Sequence, residues 1–190
     1  MADTTAPETT RRDFLYIATG GVAAVGAALA AWPFIDQMNP SSAVLALASI
    51  EADISAIQLG QQVVFNWRGH PLFVRRRTPQ EIATAKAVPV SELIDPLARN
   101  ANLPDSAQAT DADRAAKDPQ WLIVVGVCTH LGCTPTVSTP QVPQGEFGGW
   151  LCHCHGSQYD VAGRVRKGPA PQNLAVPPYT FLSPTKIKVG

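Results

Sequence analysis

The 190-residue chain has no net charge, with 15 lysines and arginines against 15 aspartates and glutamates. Nucleic-acid binders usually carry a basic excess, so no nucleic acid is expected among the partners. No internal repeat is visible. Cysteine is absent except at positions 128, 133, 152 and 154. Cysteines placed for packing would be scattered, so this grouping means disulfides, a metal site or both. Which of these applies depends on the compartment, and therefore on the N-terminus.

Charge is also missing from Phe14 to Ile35. As a helix this run would extend about 33 Å, roughly one bilayer core. Phe14, Tyr16, Trp32 and Phe34 lie near its ends, where membrane-interface aromatics belong. A polar, disordered tail (residues 1–10) precedes it and ends in Thr10-Arg11-Arg12-Asp13. An arginine pair before an apolar run resembles a twin-arginine export signal. A cleaved signal would have a shorter core and a small-residue exit, whereas this run ends in Trp32-Pro33-Phe34-Ile35-Asp36. An uncleaved single-pass anchor is therefore expected over residues 1–37, with Arg11 and Arg12 cytoplasmic and everything after Asp36 outside.

Residues 38–48 are small and include Pro40, as in a flexible hinge. The remainder, 49–190, reads as one mainly β domain, a sandwich or small barrel. Gln61–Trp67 alternates as a strand, Arg68-Gly69-His70-Pro71 turns the chain, and Leu72-Phe73-Val74 begins the return. Arg75, Arg76 and Arg77 read as the solvated end of this hairpin. Thr78-Pro79-Gln80-Glu81 starts a short helix, with Thr78 as its cap. Polar residues 96–120 read as a surface excursion, after which Trp121–Val127 is an apolar strand running into Cys128. Tyr179–Val189, with a turn at Ser183-Pro184-Thr185, makes a closing hairpin.

Two segments carry chemistry: Cys128-Thr129-His130-Leu131-Gly132-Cys133 and Cys152-His153-Cys154-His155-Gly156-Ser157. Each offers Cys and His at ligand spacing plus one further Cys. A 2Fe–2S centre with two thiolates on one iron and two imidazoles on the other needs that inventory. A two-Cys, two-His zinc site would use the same donors. It leaves the extra cysteines, the Gly156-Ser157-x-Tyr159 context and the anchor unexplained.

With Phe147-Gly148-Gly149-Trp150, Tyr159-Asp160 and Gly163 to Pro171 around them, these motifs resemble the Rieske signature. Together with the anchor, the chain resembles the Rieske iron–sulfur subunits of bacterial ubiquinol–cytochrome c oxidoreductase, the cytochrome bc complex of respiratory complex III. His153 departs from the family, where proline is common, and is expected to point away.

The resemblance implies a Rieske-type antiparallel β sandwich with a small cluster-binding subdomain at about 126–172, preceded by one transmembrane helix. It makes Cys128 and Cys152 the thiolate ligands and His130 and His155 the imidazole ligands of one 2Fe–2S cluster. It pairs Cys133 with Cys154 as a disulfide and assigns redox tuning to Ser157 and Tyr159. It places ubiquinol on His155, as the catalytic residue, and on Leu131.

The implied function is that of the quinol–cytochrome-c reductase's catalytic subunit, a translocase component. One electron passes from ubiquinol to the c-type cytochrome in a respiratory or photosynthetic chain, contributing to proton translocation. Implied partners are the cytochrome b and c-type cytochrome subunits of a dimeric complex, ubiquinol and membrane lipid. The implied location is the bacterial inner membrane, with the Rieske domain periplasmic. Alternatives are the Rieske subunit of a plastoquinol-oxidising complex, the small subunit of a periplasmic oxidoreductase such as arsenite oxidase, and a zinc-stabilised binding module.

Overall fold

The computed structural model describes residues 10–46 and 48–190. Most of the polar tail and Leu47 of the expected hinge lie outside the described residues. The chain forms two compact units, 1–45 and 46–190.

In the first unit, helix α1 spans Arg11–Asp36. Thr10 caps it: its hydroxyl accepts from the Asp13 amide at 3.3 Å, and the Asp13 carboxylate accepts from the Thr10 amide at 2.9 Å. Asp13 thereby offsets the unfavourable placing of Arg11 and Arg12 against the positive end of the helix dipole. Pro33 sits in the last turn, and the helix continues to Asp36. No residue of α1 is buried, and the helix is long and apolar enough to cross a membrane. Beyond it, Ser42–Ala46 forms a short helix, α2, started by Ser41, whose hydroxyl accepts from the Val44 amide at 3.3 Å. The expected hinge thus contains a helical turn that its small-residue composition does not announce.

The second unit is built from antiparallel strands: β1 (Ile50–Asp53), β2 (Gln62–Trp67), β3 (His70–Arg76), β4 (Trp121–Val125), β5 (Thr136–Val137), β6 (Gly148–Cys152), β7 (Ser157–Asp160), β8 (Val165–Lys167), β9 (Tyr179–Ser183) and β10 (Lys186–Val189). Two short helices, α3 (Pro79–Lys86) and α4 (Asp111–Arg114), lie between β3 and β4. The sheets are ordered β1-β10-β9, β2-β3-β4 and β5-β6-β7-β8. The domain's first and last strands pair, Ile50 opposite Val189. Ile187 and Val189 share one core with Leu72, Val74 and Ile123, which closes the first two sheets into a sandwich. The same core includes Trp150, Cys152 and Tyr159 of the third sheet. Phe73 stacks on Trp150 at 6.0 Å between ring centroids. Gly126 is required beside it, since a Cβ there would lie 2.3 Å from the Phe73 ring.

Three expectations are corrected. The β2–β3 turn is the two-residue Arg68-Gly69, both with positive φ (51° and 78°). His70 is therefore already in β3, opposite Trp67, although it is exposed.

The second correction concerns the arginine run, which is not a solvated end: Arg75 and Arg77 are buried. Thr78 and Glu81 form the capping box of α3, and Glu81 also pairs with Arg75. Arg77 pairs with Asp111 and donates to the Pro119 carbonyl at 2.6 Å. Carboxylates remote in sequence made burial possible, which a local charge pattern does not reveal.

The third correction concerns 96–120, which is more than a surface excursion. Arg114, fully buried, donates to the carbonyls of Ala162 at 2.9 Å, Gly163 at 3.3 Å and Leu174 at 2.6 Å, and also to that of Ala98. Burial lowers its pKa to about 10, so it remains charged at neutral pH. Close by, Arg164 binds Asp160 at 2.8 Å and the carbonyls of Ala109 and Ala85 at 3.1 and 2.8 Å. The inserted segment thus braces the base of the third sheet.

Candidate metal centre

Strand β4 delivers the chain through Gly126 and Val127 to the first loop, 128–133. Hairpin β6–β7 carries the second, with Cys152 opposite Ser157. The loops are built alike. The Gly132 amide donates to the Cys128 carbonyl, and the Gly156 amide to the Cys152 carbonyl, each at 2.9 Å. Both glycines have positive φ (84° and 78°), as these tight turns require.

A third segment, 168–173, closes on both loops. Gly168 lies so near Ser157 that a Cβ would meet the Ser157 Cα at 2.5 Å. The Thr129 hydroxyl donates to the Gln172 carbonyl at 2.7 Å. Nothing local in the sequence marked Thr129 as the clamp of this segment.

The structure pairs the expected ligands by type across the two loops, thiol with thiol and imidazole with imidazole. Cys128 and Cys152 are free thiols, each only 2% exposed. The His130 and His155 rings lie edge to face, centroids 4.6 Å apart. His155 is exposed and His130 half-buried, and the Nδ1 of His130 is buried without a partner. Cys133 and Cys154 form a disulfide joining the loops. The Cys152 sulfur lies within 4.8 Å of both disulfide sulfurs, which are not available as thiolates. Leu131 is 70% exposed at the same tip, and His153 is exposed.

The expected tuning residues lie behind the sulfurs. The Tyr159 hydroxyl donates to the Cys128 Sγ at 3.3 Å. The buried Ser157 hydroxyl accepts from the Ala170 amide at 3.2 Å, leaving its own proton free to be donated. Burial raises the Cys128 thiol, but donation from Tyr159 and the His130 amide outweighs this, and its pKa falls below the ordinary value. Burial leads in raising Cys152, and the neighbouring Cys128 adds to it. Burial, then the Cys128 thiol, raises Tyr159, which therefore remains a donor.

These features fit an iron–sulfur group. Two buried thiols escape the nearby disulfide, one imidazole has an orphaned inward nitrogen, and hydroxyl donors stand behind the sulfur. Zinc would use the same four donors but leaves the disulfide that joins the two loops without a part in the site.

An antiparallel sandwich carrying two such loops, joined by a disulfide, defines the Rieske class of 2Fe–2S protein. The Rieske 2Fe–2S domain model matches residues 103–179, and the model described as "Ubiquitinol-cytochrome C reductase Fe-S subunit TAT signal" matches residues 1–41. Proteins named ubiquinol-cytochrome c reductase iron-sulfur subunit are similar over nearly the whole chain. That of Rickettsia conorii is 52% identical over 183 residues, covering 96% of this chain and 94% of the relative. That of Rhodospirillum rubrum is 52% identical over 189 residues, covering 100% and 96%. Among solved structures, a chain of a hyperthermophilic respiratory Complex III aligns with TM-score 0.48 and 27% identity over 90% of this chain and 98% of that one. The chain belongs to the family of ubiquinol–cytochrome c reductase iron–sulfur subunits. Its cofactor is one Rieske-type 2Fe–2S cluster.

Proposed function

We propose that this chain is the one-electron carrier of a bacterial ubiquinol–cytochrome c reductase and its catalytic subunit at the quinol oxidation site. Cys128 and Cys152 would hold the cofactor through sulfur, and His130 and His155 through ring nitrogen. The orphaned, buried Nδ1 of His130 supports that arrangement. The bound 2Fe–2S group supplies a one-electron relay from ubiquinol to the c-type cytochrome.

The observation that carries the reading is the asymmetry of the tip: both ligand thiols are buried, while His155 and Leu131 are exposed beside them. His155 would accept a hydrogen bond from the quinol hydroxyl at its outer ring nitrogen and take the proton there. Leu131 would lie against the quinol ring and keep water from it. The Cys133–Cys154 disulfide keeps the two loops in register while one histidine changes its proton.

Residues 1–37 would anchor the chain in the inner membrane with Arg11 and Arg12 cytoplasmic. Residues 49–190, with the cluster-binding part at about 126–172, would then lie on the periplasmic side. Residues 38–48 would let the head travel between cytochrome b and the c-type cytochrome of a dimeric complex. Relatives named as reductase subunits and the apolar α1 support this reading.

Purification in mild detergent tests it. Haem-containing b- and c-type partners should accompany the chain, and ubiquinol should reduce it, read by low-temperature electron paramagnetic resonance. A chain that purifies without haem proteins and is not reduced by ubiquinol would reject the assignment.

A further inference from the structure

Arg75 and Arg77 are engaged in buried ion pairs, but Arg76 is not. Strand alternation turns it to the other face of β3, opposite Trp121 of β4. Its guanidinium carbon lies 5.6 Å from the centroid of that ring. Its Nη1 donates to the Ile57 carbonyl at 3.1 Å, while its Nε is buried with no partner. Lys117, exposed nearby, lies over the Tyr179 ring at 5.8 Å. Among the described residues neither Arg76 nor Lys117 forms an ion pair.

Both cationic residues line a cavity of about 400 Å³, together with Ser55, Ser183, Thr185 and Trp121. Among the described residues Asp118 is the one carboxylate on its wall, and its Oδ1 already accepts from the Gln120 amide at 2.8 Å. The cavity therefore offers two unneutralised cations and the hydroxyl residues Ser55, Ser183 and Thr185, the last two 3.3 Å apart between their oxygens, with an aromatic residue beside them. That set suits a tetrahedral oxyanion. The cavity shares no lining residue with the two Cys/His loops, 128–133 and 152–157.

We propose that this cavity binds phosphate or a phosphate ester. The guanidinium of Arg76 and the ammonium of Lys117 hold the anion's charge, and a hydroxyl of the Ser183–Thr185 turn adds a donor. The proposal does not depend on the redox assignment.

Isothermal titration of the full-length holoprotein with inorganic phosphate tests it, with ionic strength held constant by chloride. Saturable binding is expected, weakened about tenfold or more in Arg76→Gln and in Lys117→Gln. The visible spectrum of the cofactor should be unchanged in both. Lys117 is exposed, so Lys117→Gln remains informative if Arg76→Gln fails to fold. A soluble short-chain phosphatidylglycerol, titrated below its micelle concentration, separates the two sources. Tighter binding that competes with phosphate assigns a lipid headgroup; equal or weaker binding assigns free phosphate or its esters. A phosphate response no different from the chloride control, or one undiminished in Lys117→Gln, overturns the proposal.

Discussion

The Tyr159 hydroxyl donates to the sulfur of Cys128 across 3.3 Å, from a neighbouring strand of the sheet that also carries Cys152. A donor to a ligand sulfur stabilises the reduced, more negative state more than the oxidised one. Hydrogen bonds to charged groups are worth roughly 1.5–3 kcal/mol. A one-electron couple moves about 59 mV per 1.4 kcal/mol. Ser157→Ala should therefore lower the midpoint by about 65–130 mV at most, because water can replace a lost donor. Tyr159→Phe should shift it the same way by less. Redox titration checks both, and a midpoint unchanged or raised in both, with the cluster intact, removes the tuning role.

Replacing any one of Cys128, His130, Cys152 or His155 should abolish the cluster, since each iron needs its full ligand set. A normal Rieske resonance in Cys128→Ser would exclude Cys128 as a ligand.

Arg114→Met should destabilise the domain by roughly 3–5 kcal/mol, because it removes the buried charge and strands the carbonyls of Ala98, Ala162, Gly163 and Leu174. Denaturant unfolding measures it, and a loss below about 1 kcal/mol would mean that water or another donor satisfies these groups.

Asp95 links the inserted segment to the cluster-side loop, accepting from the Asn173 amide at 3.0 Å and from Arg99 at 2.8 Å. Burial acts to raise its pKa, but these donors outweigh it and the net shift is downward. A folded pKa below the unfolded one means a stabilising contribution that is complete above the unfolded value, about 3.9, and is lost as pH falls through the folded value. Asp95→Asn should thus be less stable than the parent at pH 7, with the gap closing below about pH 4. Far-ultraviolet circular dichroism in denaturant at pH 7 and in acid reads the difference. A gap that persists undiminished in acid would show that the carboxylate's charge contributes nothing.

Two prolines added within 38–48 should slow cytochrome reduction while leaving the cluster spectrum intact. If steady-state turnover is unaffected, travel of the head on this segment is not part of the reaction.

The local pattern was sufficient where chemistry and spacing coincide along the chain. The uncharged run at 14–35, the alternation of the β2–β3 and β9–β10 hairpins and the Thr78–Glu81 helix start all lie within a few residues of their partners, and the structure has each of them. The paired Cys/His loops were legible because their donors are rare residue types packed into two short segments. The fate of Arg75, Arg77 and Arg114 was not. A guanidinium is buried only when distant carboxylates or carbonyls meet it, and Arg114 finds Leu174 sixty residues away. The same holds for Thr129, whose clamp on Gln172 exists only once two remote loops are apposed. Residue types and spacing therefore determined what kind of centre this protein holds. The long-range hydrogen bonds, which no local propensity encodes, decided how that centre is braced and that Arg76, of the run 75–77, is the one left without an ion pair among the described residues.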